Sequence, residues 1–238
     1  MQLGFHIEGP GEPPGGGSQR MVVADYLLRR AIPIPTVVYR LNPPTQFVKG
    51  VIGGKTRSEA SARALSKLWA RFGSWEAVAE GPPRDILEAV SDVTHPELKA
   101  DRLRRSLRQL CEERGRVDLS PVDRLSVPQA LLWLERLPGV GRKASASVLN
   151  HSTLHRRALV IDSHHLRIAQ RLGWVGPTCT GHDAYDRLMP RVPDGWDATR
   201  IDDHHRRFKR LGQDICRPTR PKCGICPLQS ICATGQGD

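Results

Sequence analysis

The sequence predicts an all-α protein, and three observations predict it. From residue 46 onward apolar side chains recur at three- and four-residue intervals, no segment alternates apolar with polar residues over the length of a strand, and helix-start and helix-stop signals punctuate the chain. With 238 residues, 39% of them apolar, the chain can bury a core of ordinary size as one large domain or two small ones.

The elements follow in order. Residues 1–20, MQLGFHIEGPGEPPGGGSQR, are rich in Gly and Pro and predict an irregular arm. MVVADYLLRRA, from Met21, suits a short helix, whereas the prolines of IPIPTVVYRLNPP forbid a regular one. In SEASARALSKLWARFGS, Leu65, Leu68, Trp69 and Phe72 recur at helical spacing and Gly73 follows as a stop. THPELKADRLRRSLRQLCEERG reads as a helix opened by a capping box of Thr94 and Glu97 and closed at Gly115. Leu103, Leu107 and Leu110 line one of its faces, and arginines crowd the other. A further helix starts at Ser126, with Gln129 three residues on, and carries ALLWLERL into PGVGRKASASVLN. Beyond it, apolar residues Ala158 to Ile161 lead to Asp162 and a helical pattern of Leu166, Ile168, Ala169 and Leu172.

No run of eighteen apolar residues occurs, and no basic segment precedes an apolar one at the N-terminus, so neither a membrane span nor a signal peptide is expected. The expected compartment is the reducing cytoplasm, with the nucleoid for a bacterial chain. Cytosolic thiols stay reduced, which disfavours disulfides among the six cysteines. Cys216, Cys223, Cys226 and Cys232 lie within CRPTRPKCGICPLQSIC and suggest ligation of either zinc or an iron–sulfur cluster. Cys111 and Cys179 read as ordinary thiols, one on a helix and one in a loop. The net charge of +11 favours polyanionic partners. Nucleic acid is the natural candidate, although a membrane surface or an acidic protein satisfies charge alone.

Leu137-Pro138-Gly139-Val140-Gly141-Arg142-Lys143 sits between two helical stretches and predicts a tight turn. Gly139 and Gly141 are free to take positive φ, and the next helix start leaves N–H groups pointing outward, where a phosphate fits. An unliganded αα-hairpin is the plainer alternative. The full LPGVGRKAS in a basic chain is the helix-hairpin-helix pattern, which grips a DNA backbone without reading bases. Lys143 falls in the first turn, where the helix dipole disfavours added positive charge and so favours a neutral, nucleophilic amine. Without a general base at hand, it would be read as another phosphate contact. Asp162 stands where a helix cap belongs, a role compatible with a catalytic carboxylate.

These residues resemble the endonuclease III family of DNA glycosylases. LPGVGRKASASVLN is similar to the family's hairpin with its catalytic lysine, and VIDSHHLRIAQRLG to its aspartate segment. The four cysteines, separated by six, two and five residues, are similar to its cluster loop. The likeness is strong over residues 125–232, weaker over 46–124 and absent before that. It implies a [4Fe-4S] cluster on Cys216, Cys223, Cys226 and Cys232, with Arg217, Arg220 and Lys222 presented to phosphates. It also implies two helical lobes: residues 42–154 with the hairpin, and residues 21–41 with 155–238 around the cluster. Double-stranded DNA with a damaged base or abasic site would lie across the cleft between them, bound by a monomer. Lys143 would attack the sugar C1′ of a flipped nucleotide with help from Asp162, and the resulting Schiff base would permit strand cleavage by β-elimination.

The chain departs from the family where a glutamine usually fills the gap left by the flipped base. Lys55, preceded by Gly53 and Gly54, stands there, either altering that contact or binding a phosphate. Of the segment SDVTHPELKA only Lys99-Ala100 is recognisable. His164 resembles the histidine after the family's aspartate; His165, His204 and His205 read as packing or helix-surface residues rather than metal ligands.

Overall fold

The computed structural model describes residues 17–37 and 39–235. They form twelve α-helices and no strand apart from an isolated parallel bridge between Leu41 and Ser152. In chain order the helices are α1 (Gly17–Ala31), α2 (Pro43–Ile52), α3 (Ser58–Phe72), α4 (Trp75–Glu80), α5 (Pro83–Ala89) and α6 (Pro96–Arg114). There follow α7 (Pro121–Arg124), α8 (Val127–Glu135), α9 (Arg142–His151), α10 (Ser163–Arg171), α11 (Gly181–Leu188) and α12 (Ala198–Asp214). Among the described residues no helix is long and apolar enough to cross a membrane.

Two groups of helices pack around one continuous apolar core. In the first, α2 lies on α6 and α9, α4 and α5 lie on α6, and α8 lies on α9. In the second, α12 receives α1 and α10. Leu103, Leu107 and Leu110 of α6 are fully buried, as their spacing predicts. Gly73 and Gly115 end α3 and α6 at φ +73°, a left-handed conformation that a side chain would strain.

Several expectations need correction. Residues 17–20 belong to α1 rather than to an irregular arm; residues 1–16 lie outside the described residues. The helix is fixed by more than its apolar stripe, because buried Asp25 accepts from Arg200 and from Nδ1 of His204 on α12. The buried stripe of α3 is Ala60, Ser61, Ala64 and Leu68, which leaves Trp69 half-exposed against the ring of Trp75. The capping box of Thr94 and Glu97 does not form. His95 is the N-cap, at φ +55°, and the Thr94 hydroxyl instead donates to the Lys55 carbonyl at 2.9 Å. The box of Ser126 and Gln129 does form.

Candidate active site and cysteine loop

The hairpin between α8 and α9 is built from inside outward. Leu137 and Val140 are buried, so their side chains anchor the turn and only their backbone is left to meet a ligand. Gly139 takes φ +79° with its Cα pressed on Arg102 of α6; a Cβ there would stand 2.9 Å from that side chain. Gly141, by contrast, has φ −108° and open space around it, so it serves as N-cap of α9 rather than as a left-handed residue. The first N–H groups of α9 have no intrahelical acceptor and face outward.

Arg142, an expected DNA contact, has its guanidinium turned inward. It donates to Glu135 at 2.6 Å and to Asp186 at 2.5 Å and lies over the Tyr185 ring. Its backbone N–H is what remains for a ligand.

Lys143 is the second residue of α9 and half-buried. Burial draws its pKa down, Lys209 and Lys49 push the same way, and Asp162 opposes them. The depressed pKa expected from the helix dipole is therefore present, with burial as its main cause. Asp162 caps α10, accepting from the His165 N–H at 2.8 Å, and follows four buried residues, Ala158 to Ile161. Burial pushes the Asp162 carboxyl up, but nearby His205, the His165 N–H, His164 and Lys209 outweigh it and hold the carboxyl below its ordinary range. The direction of this shift, undecided from sequence, is downward. His205 donates through Nδ1 to the Val160 carbonyl at 2.7 Å, tying α12 to the segment that carries Asp162. His165, His204 and His205 are packing residues; His165 stacks on Phe208.

Lys55 is exposed at the tip of the turn after α2, at φ +53°. Its turn is clamped from α6: Nζ of Lys99 donates to the Gly54 carbonyl and to Oγ1 of Thr56, both at 2.6 Å. Burial and the Lys143 ammonium bring Lys99 down to about 8. Lys99 was legible in the sequence only as a matched letter. Lys49 and Lys209 carried no sequence signal at all.

In the cysteine loop, Arg217, Arg220 and Lys222 are exposed. Cys216, Cys223, Cys226 and Cys232 line one cavity together with Arg171. Arg171, at the end of α10, donates to Sγ of Cys216 at 3.2 Å and to the carbonyls of Arg217 and Pro218 at 2.7 and 2.9 Å. Burial raises the Cys226 thiol, and Cys216, Cys232 and Cys223 raise it further, so a bound cationic group would relieve mutual repulsion among these thiolates. Among the described residues no three His, Cys, Asp or Glu side chains come together in the manner of a single-ion site. Four thiols around one cavity suit a multi-iron cluster in which each iron takes one thiolate.

Comparison with known proteins agrees. Residues 216–232 match the model of the iron–sulfur binding domain of endonuclease III. Endonuclease III of Thermotoga maritima is 29% identical over 192 residues, covering 80% of this chain and 83% of that protein. Endonuclease III of Synechocystis sp. is 26% identical over 220 residues, covering 92% and 94%. Among solved structures, a trapped endonuclease III–DNA covalent intermediate superposes with a TM-score of 0.76 at 19% identity, covering 92% of this chain and 97% of that one. The cofactor of the cysteine loop is a [4Fe-4S] cluster, residues 216–232 being an iron–sulfur binding domain of the endonuclease III type, and over most of its length the chain is similar to endonuclease III.

Proposed function

We propose that this protein is a DNA base-excision glycosylase with AP-lyase activity, Lys143 being its nucleophile and Asp162 its carboxylate. The observation that carries the reading is the pairing of a half-buried amine, for which no described residue provides a hydrogen-bond acceptor, with an ionised carboxylate at the start of the neighbouring helix. The depressed pKa supplies a neutral amine at lower pH than free lysine would. Nζ of Lys143 bonds to C1′ as the bond from C1′ to the base breaks, with its electron pair leaving on the base. Asp162, held ionised, stabilises the positive charge that develops at C1′. The amine then loses a proton, the sugar ring opens to the Schiff base, and loss of a C2′ proton expels the 3′ phosphate.

The two helix groups are the two lobes, with duplex DNA across their junction and the hairpin N–H groups of Gly139, Gly141 and Arg142 on its backbone. Lys55, on its clamped turn, enters the gap left by the flipped base. Cys216, Cys223, Cys226 and Cys232 ligate the cluster, whose contribution is structural: it holds Arg217, Arg220 and Lys222 against phosphates.

Borohydride trapping on abasic duplex tests the reading. Wild type is expected to cross-link, Lys143→Gln to give no adduct, and Asp162→Asn, which keeps the helix cap, to fold normally and lose base excision. Undiminished trapping by Lys143→Gln would remove the lysine from this role, and base release without nicking would remove the lyase step.

A further inference from the structure

Lys143 is not the only amine in its neighbourhood. Lys49 is carried by α2, where every other residue from Gln46 to Ile52 is buried. The two helices touch at Gly50 and Ala144, the residues that follow Lys49 and Lys143; a Cβ on Gly50 would stand 3.3 Å from that of Ala144. The two lysines therefore leave a common contact. Lys209 of α12 approaches the same place, with Nζ donating to Oγ of Ser58 at 3.0 Å. Burial and Lys209 draw the pKa of Lys49 down, and Lys49 in turn lowers that of Lys143.

Lys49, Lys143 and Lys209 thus share one electrostatic neighbourhood with the carboxylate of Asp162, where the nucleotide is expected. No described residue accepts a hydrogen bond from Lys49. A half-buried ammonium among like charges, without an acceptor, is unfavourable in the free protein. The arrangement calls for a ligand that brings acceptor atoms or negative charge. Phosphates stay on the outside of the strand, within reach of exposed Lys55, whereas half-buried Lys49 directly precedes Gly50, where α2 meets α9 one residue after the nucleophile.

We propose that Lys49 is a specificity-determining residue, whose ammonium donates to the acceptor edge of the extruded base. This rests on the glycosylase reading above. The bond from C1′ to the base breaks with its electron pair going to the ring nitrogen and, by delocalisation, to carbonyl oxygens; Lys49 hydrogen-bonds to that developing anion. A donor-only group also discriminates: it pairs with a carbonyl and repels an exocyclic amine. Keto bases, such as deaminated or oxidised ones, are therefore favoured over amino bases.

The test compares wild type, Lys49→Met and Lys49→Arg in single-turnover excision of uracil, hypoxanthine and an oxidised pyrimidine from defined duplexes. Binding and borohydride trapping on a preformed abasic duplex, where no base remains, are measured alongside. Lys49→Met is expected to slow excision by about 10²-fold, the scale for removing one donor from a developing anion. Lys49→Arg, which keeps the charge beside Lys143, is expected to recover most of that loss and to trap abasic DNA as wild type does; Lys49→Met, which removes one of the charges that lower Lys143, is expected to trap only slightly less, by far less than its loss in excision. Unchanged excision by Lys49→Met overturns the assignment. So does an equal loss on abasic DNA, which would make Lys49 a phosphate contact. So does a failure of Lys49→Arg to recover, which would mean a packing role. A wild type that excises no base in the panel is a different result: it defeats the glycosylase reading itself and this inference with it.

Discussion

The hairpin of residues 137–143 and the cysteine loop of residues 216–232 are both short and both expected to face DNA, yet they hold their shapes by opposite means. Around the hairpin, Leu131, Leu134, Leu137, Val140 and Ala144 are buried, so removing apolar area from water fixes the turn. Within the cysteine loop only Leu228 is buried. Its backbone is held instead by the guanidiniums of Arg167 and Arg171, which donate to the carbonyls of Cys216, Arg217 and Pro218, and by its thiols. One surface is prepared by the core. The other depends on what the thiols bind.

That contrast can be broken experimentally. The largest effect is expected from removing the cluster, by Cys226→Ser or by oxidative loss of iron. Amide protection should vanish across residues 216–235 while α8 and α9 keep theirs. Losing Arg217, Arg220 and Lys222, proposed to face phosphates, should also lower the salt slope of DNA affinity by about 2–3, at about 0.9 per contact. Protection lost equally in both regions would show that they are one cooperative unit.

Leu134→Ala, at the base of the hairpin, should act in the opposite way. A cost of about 2–5 kcal/mol is expected for a buried leucine, measured as a lower denaturant midpoint, with the iron content of the folded fraction unchanged. A marked loss of iron would mean that the loop borrows its stability from the core.

The Lys55 turn gives the smallest effect, being held by an ammonium rather than by burial or metal. Lys99 titrates at about 8 in the folded protein against 10.5 ordinarily. Between those values the unfolded chain binds more protons, so stability should rise modestly from pH 8 to 10.5 and the strain of the charged form should be fully present below 8. Lys99→Met should flatten that rise in a pH series of thermal melts; an unchanged slope would assign it to another group.

What the sequence disclosed follows the same division. The hairpin, the cap at Asp162, the Ser126 box and the cysteine spacing are local patterns, and a linear reading reaches them. Lys49, Lys209 and Arg171 escaped because each acquires its meaning from a partner far along the chain: Arg171 meets Cys216 across forty-five residues, and Lys209 meets Ser58 across 151. Thr94 failed as a cap for the same reason, since its hydroxyl found the Lys55 carbonyl thirty-nine residues upstream. Arg142 was expected to contact DNA, but the fold brings Asp186 to its guanidinium.

Helix α10 has Asp162 at one end and Arg171 at the other, with Arg167 between them bonded to the Cys216 carbonyl. Nine helical residues make a strut of about 13 Å, too short and too well packed to bend. A disturbance at the cysteine end of this strut is therefore expected to shift the carboxylate at the other. On the proposed reading the iron–sulfur group needs no electron transfer to influence catalysis, because it would fix, through this strut, the position of the Asp162 carboxylate.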